Sequence, residues 1–134
     1  MSLLSSFDIG ATGLSAQALR LNLTASNIAN VESVSGPDGR TYRARHVEFS
    51  AINKPNAPGA GVAVTKIYES DSPFRRQYSP GHPKADALGY VDMPNVNPVE
   101  EMVNMISASR SYQMNVEAMN VSRQLLLKTL DLGK

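Results

Sequence analysis

Two long stretches of helical periodicity, one at each end of 134 residues, leave this chain few ways to fold. From Leu4 the apolar positions run Leu4, Phe7, Ala11, Leu14, Ala18, Leu21, Ala25 and Ile28, an unbroken 3-4-3-4 spacing. That spacing lays a seam along one side of a helix, with large and small residues alternating after the first turn. A second helical pattern runs from Pro98 to Asp131, with one stripe through Met102, Met105, Tyr112, Val116, Met119, Leu126 and Leu130. Val103, Ile106, Val121, Leu125 and Leu127 fall off that stripe, so this helix is apolar on more than one side. Helices over 7–30 and 98–131 would be roughly 36 Å and 50 Å long at 1.5 Å per residue. The mean globular helix has only about 11–12 residues. The stretch between these rods is too short to cover what they expose, which predicts a subunit completed by its neighbours.

Composition narrows the function classes. Thirteen basic and twelve acidic residues give a net charge of +1, and the densest basic group is Arg40, Arg43 and Arg45. Such a balance offers no electrostatic draw for nucleic acid or an anionic membrane. The chain has no cysteine, which excludes disulfides, thiolate metal sites and cysteine nucleophiles. Its longest aliphatic run, Leu125-Leu126-Leu127, is far short of the ~20 residues that span a bilayer. Met1 to Ile9 holds no basic residue and so no secretory signal pattern, and the chain reads as cytosolic or as exported by a route without a cleaved signal.

Along the chain, Ser5 and Asp8 form a capping-box-like pair before the first seam. Gly10 and Gly13 weaken that helix by roughly 1 kcal/mol each, so packing must order it. Its end is expected at Asn27, Asn30 and the run Val31 to Ser35, before the turn Gly36-Pro37-Asp38-Gly39. Arg40 to Ser50 and Val62 to Tyr68 read as strands, and Asn53 to Gly61, with two prolines and two glycines, as a surface loop. Breakers at Ser72-Pro73 and Ser79-Pro80-Gly81-His82-Pro83 precede a short extended piece, Gly89 to Pro94. The middle is thus a small β-rich insert of two or three short strands. Asn97 is the expected N-cap of the second helix, Pro98 its first residue, and Glu100 and Glu101 suit its positive end. Gly133 is the expected stop. The resulting division is 1–34, an N-terminal axial helix; 35–96, the β-rich insert; and 97–134, a C-terminal axial helix packing on the first.

Catalysis has little footing. His46 lies in a strand-like run and His82 between Gly81 and Pro83, and Gly10-Ala11-Thr12-Gly13 lacks the Lys-Ser/Thr pair of a phosphate loop. No residue is assigned a catalytic, cofactor-binding or metal role, and the chain is read as a non-enzyme. The residues expected to carry assembly and packing are Phe7, Leu14, Leu21, Asn27, Ile28, Asn30, Met102, Ile106, Tyr112, Val116, Met119, Leu126 and Leu130. Leu14 and Leu21 are expected to face Val116, Met119 or Leu126 in an antiparallel pair. For Asn27 and Asn30 two readings stand: helix termination, or hydrogen bonds between subunits that set register.

Ala25-Ser26-Asn27-Ile28-Ala29-Asn30 resembles the asparagine-bearing signature shared by rod and hook proteins of the bacterial flagellum. Where most of these continue into Thr-Pro-Gly-aromatic, this chain runs Val31-Glu32-Ser33-Val34-Ser35-Gly36-Pro37-Asp38-Gly39, with Tyr42-Arg43-Ala44 after it, as a proximal-rod branch does. Gly89 to Asn97, Glu101 to Gln113 and the ending Leu127 to Gly133 resemble the same branch, so the likeness covers essentially the whole chain. It implies a mainly α fold, with both terminal helices paired as an antiparallel coiled-coil-like axial domain around the β-rich insert. It implies a structural subunit of the basal-body proximal rod, polymerising helically into the drive shaft that carries motor torque across the periplasm. The implied partners are further copies of itself, the rod proteins FlgB, FlgF and FlgG, FliE at the base, and the flagellar type III export apparatus. No cofactor, small-molecule substrate or nucleic acid is implied. From the residues alone a different class stays open: a soluble helical adaptor or secretion partner that binds through the apolar seam.

Overall fold

The computed structural model describes residues 3–36, 38–53 and 59–133. Helix α1 spans Leu3–Ala29 and helix α2 spans Pro98–Leu132. Between them lie four strands: β1 (Arg45–Asn53), β2 (Ala60–Glu69), β3 (Arg75–Tyr78) and β4 (Tyr90–Met93). The architecture is mainly helical, with a small β region between two long helices. α1 starts at Leu3, so Ser5 and Asp8 lie inside its first two turns and are not the cap expected before it. α2 begins as its sequence dictates. The Asn97 side chain accepts from Val99 N at 3.2 Å, and Pro98 fills the first turn, where a missing N–H costs nothing. Gly133 closes α2 with its N–H on Leu130 O at 3.2 Å, but its φ of −89° is not the left-handed cap a glycine commonly supplies.

β1 and β2 form an antiparallel hairpin running from Arg45↔Glu69 to Asn53↔Ala60, with a bulge at Glu48/Phe49. The tip expected as a loop, Asn53 to Gly61, is largely outside the described residues; its flanks continue the strands at Asn53 and Ala60. β1 starts five residues later than the strand expected from Arg40, because residues 40–44 follow the turn after Gly36. In that turn Gly39, at φ +77°, adopts a conformation other residues resist. A second antiparallel pair, β3–β4, runs from Arg75↔Met93 to Tyr78↔Tyr90. β3 was not visible in the sequence: Arg75-Arg76-Gln77-Tyr78 is exposed throughout and has no apolar alternation.

The hairpin lies along α1. Thr12 Oγ1 donates to Ile9 O at 2.8 Å and accepts from Val62 N at 3.1 Å, which docks the far end of β2 on the helix. Gly61 permits that approach: a Cβ there would stand 3.0 Å from Thr12 Oγ1. Asn95 joins the two sheets, accepting from Ala44 N at 2.8 Å and donating to Ser70 O at 3.0 Å and Ser72 O at 2.9 Å. Arg43 reinforces the joint, its guanidinium 4.2 Å above the Phe74 ring and donating to Ser70 O. Among the described residues the buried apolar ones are few and small: Ala16, Ala44, Val91, Pro94, Val96 and Ala108. A core of alanines and valines lets backbones come close but withdraws little area from water.

Candidate assembly interface

α1 and α2 pack side by side in opposite directions. Gly10 lies against Met119, Gly13 against Asn115, Arg20 donates to Asn104 Oδ1 at 3.1 Å, and Asn27 donates to Glu101 Oε2 at 3.1 Å. The α1 residues in this series, 10, 13, 20 and 27, each stand one position before a seam residue, 11, 14, 21 and 28. One position is about 100° around a helix, so these contacts run along the flank of the apolar seam, whose Leu14, Ala18, Leu21 and Ile28 are half-buried. The physical reason is close approach. A Cβ on Gly10 would fall 2.8 Å from Met119 Cγ, and one on Gly13 would fall 3.0 Å from Asn115 Nδ2. The glycines that weaken the isolated helix are thus the positions where α2 comes nearest. Ala108, with no exposed surface, serves the same closeness on α2.

Asn27 is the centre of the site. It is 1% exposed, and both ends of its amide are fully used. Its Oδ1 accepts from Arg45 N at 2.9 Å and from Tyr42 OH at 2.9 Å; its Nδ2 donates to Arg45 O at 2.9 Å and to Glu101 Oε2 at 3.1 Å. One side chain therefore joins the end of α1, the start of β1 and the first turn of α2. Glu101 is 3% exposed and sits in that first turn, at the positive end of the helix dipole. Thr24 is buried one turn before Asn27, and Ser26 Oγ lies 3.3 Å from the Tyr42 hydroxyl.

The expected site residues divide into four groups. Asn27 is buried in the intrachain junction, and its four bonds are taken within the chain. The inter-subunit bond proposed for it has no donor or acceptor left to use. Asn30 follows the helix end, where its Nδ2 bonds Ser26 O at 2.8 Å, as a terminating residue does. Phe7, Leu14, Leu21, Ile28, Met119 and Leu126 are half-buried, while Met102, Ile106, Tyr112, Val116 and Leu130 are exposed. Leu21 does not face Val116, Met119 or Leu126. It follows Arg20, which is level with Asn104, and Met119 sits against Gly10 near the other end.

Within the seam Ala11 and Ala25 are exposed, while Phe7, Leu14, Ala18, Leu21 and Ile28 are half-buried. The first half of α2 carries an open face, with Val99 69%, Val103 61% and Ile106 56% exposed. Sequence reasoning missed Gly13, Thr12, Tyr42, Arg45 and Glu101 as packing residues. A signal existed for one of them, since Gly10 and Gly13 at i, i+3 mark a close-approach face. None existed for Glu101, whose place in a first turn already had a sufficient explanation. Among the described residues, no group of three or more His, Asp or Glu is placed to hold a metal ion, and no helix is long and apolar enough to cross a membrane.

Two long helices joined to a small β region by polar contacts centred on Asn27, with apolar residues exposed along α2, define a structural subunit built for assembly. The family described as "Flagella basal body rod protein" matches residues 7–37, and "Flagellar basal body rod FlgEFG protein C-terminal" matches residues 87–132. The chain is 54% identical to the flagellar basal-body rod protein FlgC of Yersinia enterocolitica over 134 residues, 100% of both chains. It is 52% identical to FlgC of Salmonella typhimurium, again over 100% of both. With FlgC of Borreliella burgdorferi it shares 41% over 147 residues, 97% of each. The chain belongs to the FlgC family of flagellar basal-body rod proteins.

Proposed function

We propose that this rod protein is a subunit of the proximal rod, polymerising helically with copies of itself and with other rod proteins into a shaft that transmits torque across the periplasm. One observation carries the reading. The chain exposes 9119 Å² of surface. A compact monomer of its mass, 14.5 kDa, would expose about 6,900 Å². The excess of about 2,200 Å² exceeds the ~800 Å² that each partner commonly buries in one stable interface, so it accommodates neighbours on more than one side. Part of it is apolar, at Val99, Val103 and Ile106 on the back of α2. In this reading α1 and α2 form one coiled-coil-like axial unit, and load spreads over many small contacts. FlgB, FlgF and FlgG as rod neighbours, FliE at the base, and export through the type III apparatus without cleavage complete the proposal. It assigns no chemistry to His46 or His82. A soluble adaptor has less support, because the full-length relatives are named as rod proteins.

Because the chain has no native cysteine, single cysteines report on these faces cleanly. Val103→Cys and Ala11→Cys should react with a maleimide in the free chain and be shielded in purified basal bodies, reacting there only after dissociation. Equal labelling of free and assembled protein at both positions would reject the proposal.

A further inference from the structure

The two bonds between Asn27 and Arg45 do more than attach a strand. The Arg45 N–H and C=O grip the two ends of the Asn27 amide, each at 2.9 Å, and so fix which way the amide is turned. One amide N–H is left, and it points at Glu101 Oε2, 3.1 Å away. Glu101 is 3% exposed, and among the described residues no cation pairs with it. The Arg45 guanidinium engages Glu69, and that of Arg20 engages Asn104.

We infer that this junction is a conditional clamp: the start of α2 closes against α1 only when the β1–β2 hairpin is docked, because the docked strand aims the amide proton that Glu101 needs. Burying a carboxylate without a hydrogen-bond donor is disfavoured much more strongly than burying a neutral amide. With the hairpin away, the Asn27 amide turns freely and exchanges its partners for water. Glu101 then favours solvent over the closed interface. An order of events within the chain follows: hairpin first, helix pair second, and only then the open face at Val103 and Ile106 held in a fixed direction. The clamp belongs to the single chain and does not depend on the rod reading, since its test uses unassembled protein.

Amide exchange on the purified full-length chain, followed by mass spectrometry over residues 42–50 and 99–110, tests the coupling. Asn27→Ala should speed exchange in both segments together, by about ten- to a hundredfold. Glu101→Gln alone should leave both slow. The double variant should recover slow exchange in 99–110 but not in 42–50, because the pairing no longer needs an aimed donor. Should Asn27→Ala lose its helical circular dichroism altogether, Asn27→Asp provides the same comparison. It keeps the acceptor for Arg45 N–H, sets a carboxylate against Glu101, and should again be relieved over 99–110 by Glu101→Gln. The inference is overturned if either Asn27 variant loosens 42–50 while 99–110 stays protected, or if Glu101→Gln restores nothing.

Discussion

Gly13 and Ala25 lie on two different faces of α1, and substituting each separates what holds the chain together from what its neighbours hold. In Gly13→Val the new Cβ would stand 3.0 Å from Asn115 Nδ2 and 3.4 Å from Asn115 Cγ, with two further carbons pushing inward. Overpacking of that kind costs about 1–3 kcal/mol, and the better helix propensity of valine offsets about 0.4 kcal/mol. At roughly 3–5 °C per kcal/mol for a chain of this size, Tm should fall by about 2–13 °C. Ala25→Lys is the opposite case. Position 25 is exposed, so lysine costs only about 0.3 kcal/mol in propensity and gains a similar amount near the negative end of α1. Its Tm should stay within about 2 °C of the parent. Yet if a neighbouring subunit covers the seam, an unpaired ammonium buried there costs about 3–5 kcal/mol, or about two to four decades of affinity. Thermal unfolding by circular dichroism, and swimming of a strain whose own gene is replaced by each variant, read the two effects. Gly13→Val should be less stable as a monomer; Ala25→Lys should be as stable as the parent but paralysed, without rods in isolated basal bodies. Normal swimming of the Ala25→Lys strain would mean that position 25 faces solvent in the rod as well, and a loss of more than about 1 kcal/mol in the monomer would mean that it packs within the chain.

Other expected outcomes follow from single contacts. Thr12→Val removes the acceptor of the Val62 N–H, so the exchange of that amide should rise about tenfold while β1 near Arg45 stays protected. The Asp86 carboxyl lies below its ordinary value of 3.8, held there first by the Tyr90 N–H, with Leu88 N–H and the Arg76 guanidinium adding to it against the cost of desolvation. A lowered folded-state value means that its contribution to stability is present above 3.8 and lost as pH falls through the folded-state value. Acidification below that point should therefore loosen β3–β4, as read by exchange at Tyr90, and Asp86→Asn should remove that part of the dependence. Replacing both His46 and His82 with glutamine should leave rods and swimming unchanged, since the His46 ring lies beside Tyr68 and the His82 ring accepts from Lys84 N–H, contacts on which no junction of the fold rests.

Both helices were legible in the sequence because 3.6-residue periodicity over six turns or more is a local pattern that repeats. The start of α2 was equally plain, since Asn97 and Pro98 act through bonds to their own neighbours in the chain. The hairpin could be read in outline from the alternation of Val62, Val64 and Tyr68, whereas β3 was silent, its residues facing solvent on every side. Family membership was carried by motifs in order, from Ala25 to Asn30 and from Gly89 to Asn97, and the full-length relatives agree with it.

Which face of α1 meets α2 was another matter. An apolar seam states that something must cover it, but not what, and the seam of Leu14 and Leu21 drew attention from the glycines one position earlier. Interhelical distance decided between them: a glycine-lined face lets two backbones approach as leucines do not, and that saving appears only when both helices are in place. Asn27 is the clearest case. The sequence by itself determined that a polar residue falls near the end of a long apolar helix. Only the tertiary structure brought Arg45 from 18 residues away and Glu101 from 74 to its two amide ends, turning a helix terminator in appearance into the junction of the fold. A hydrogen bond has no signature in sequence separation, because its strength depends on geometry at about 3 Å, which the chain acquires only by folding.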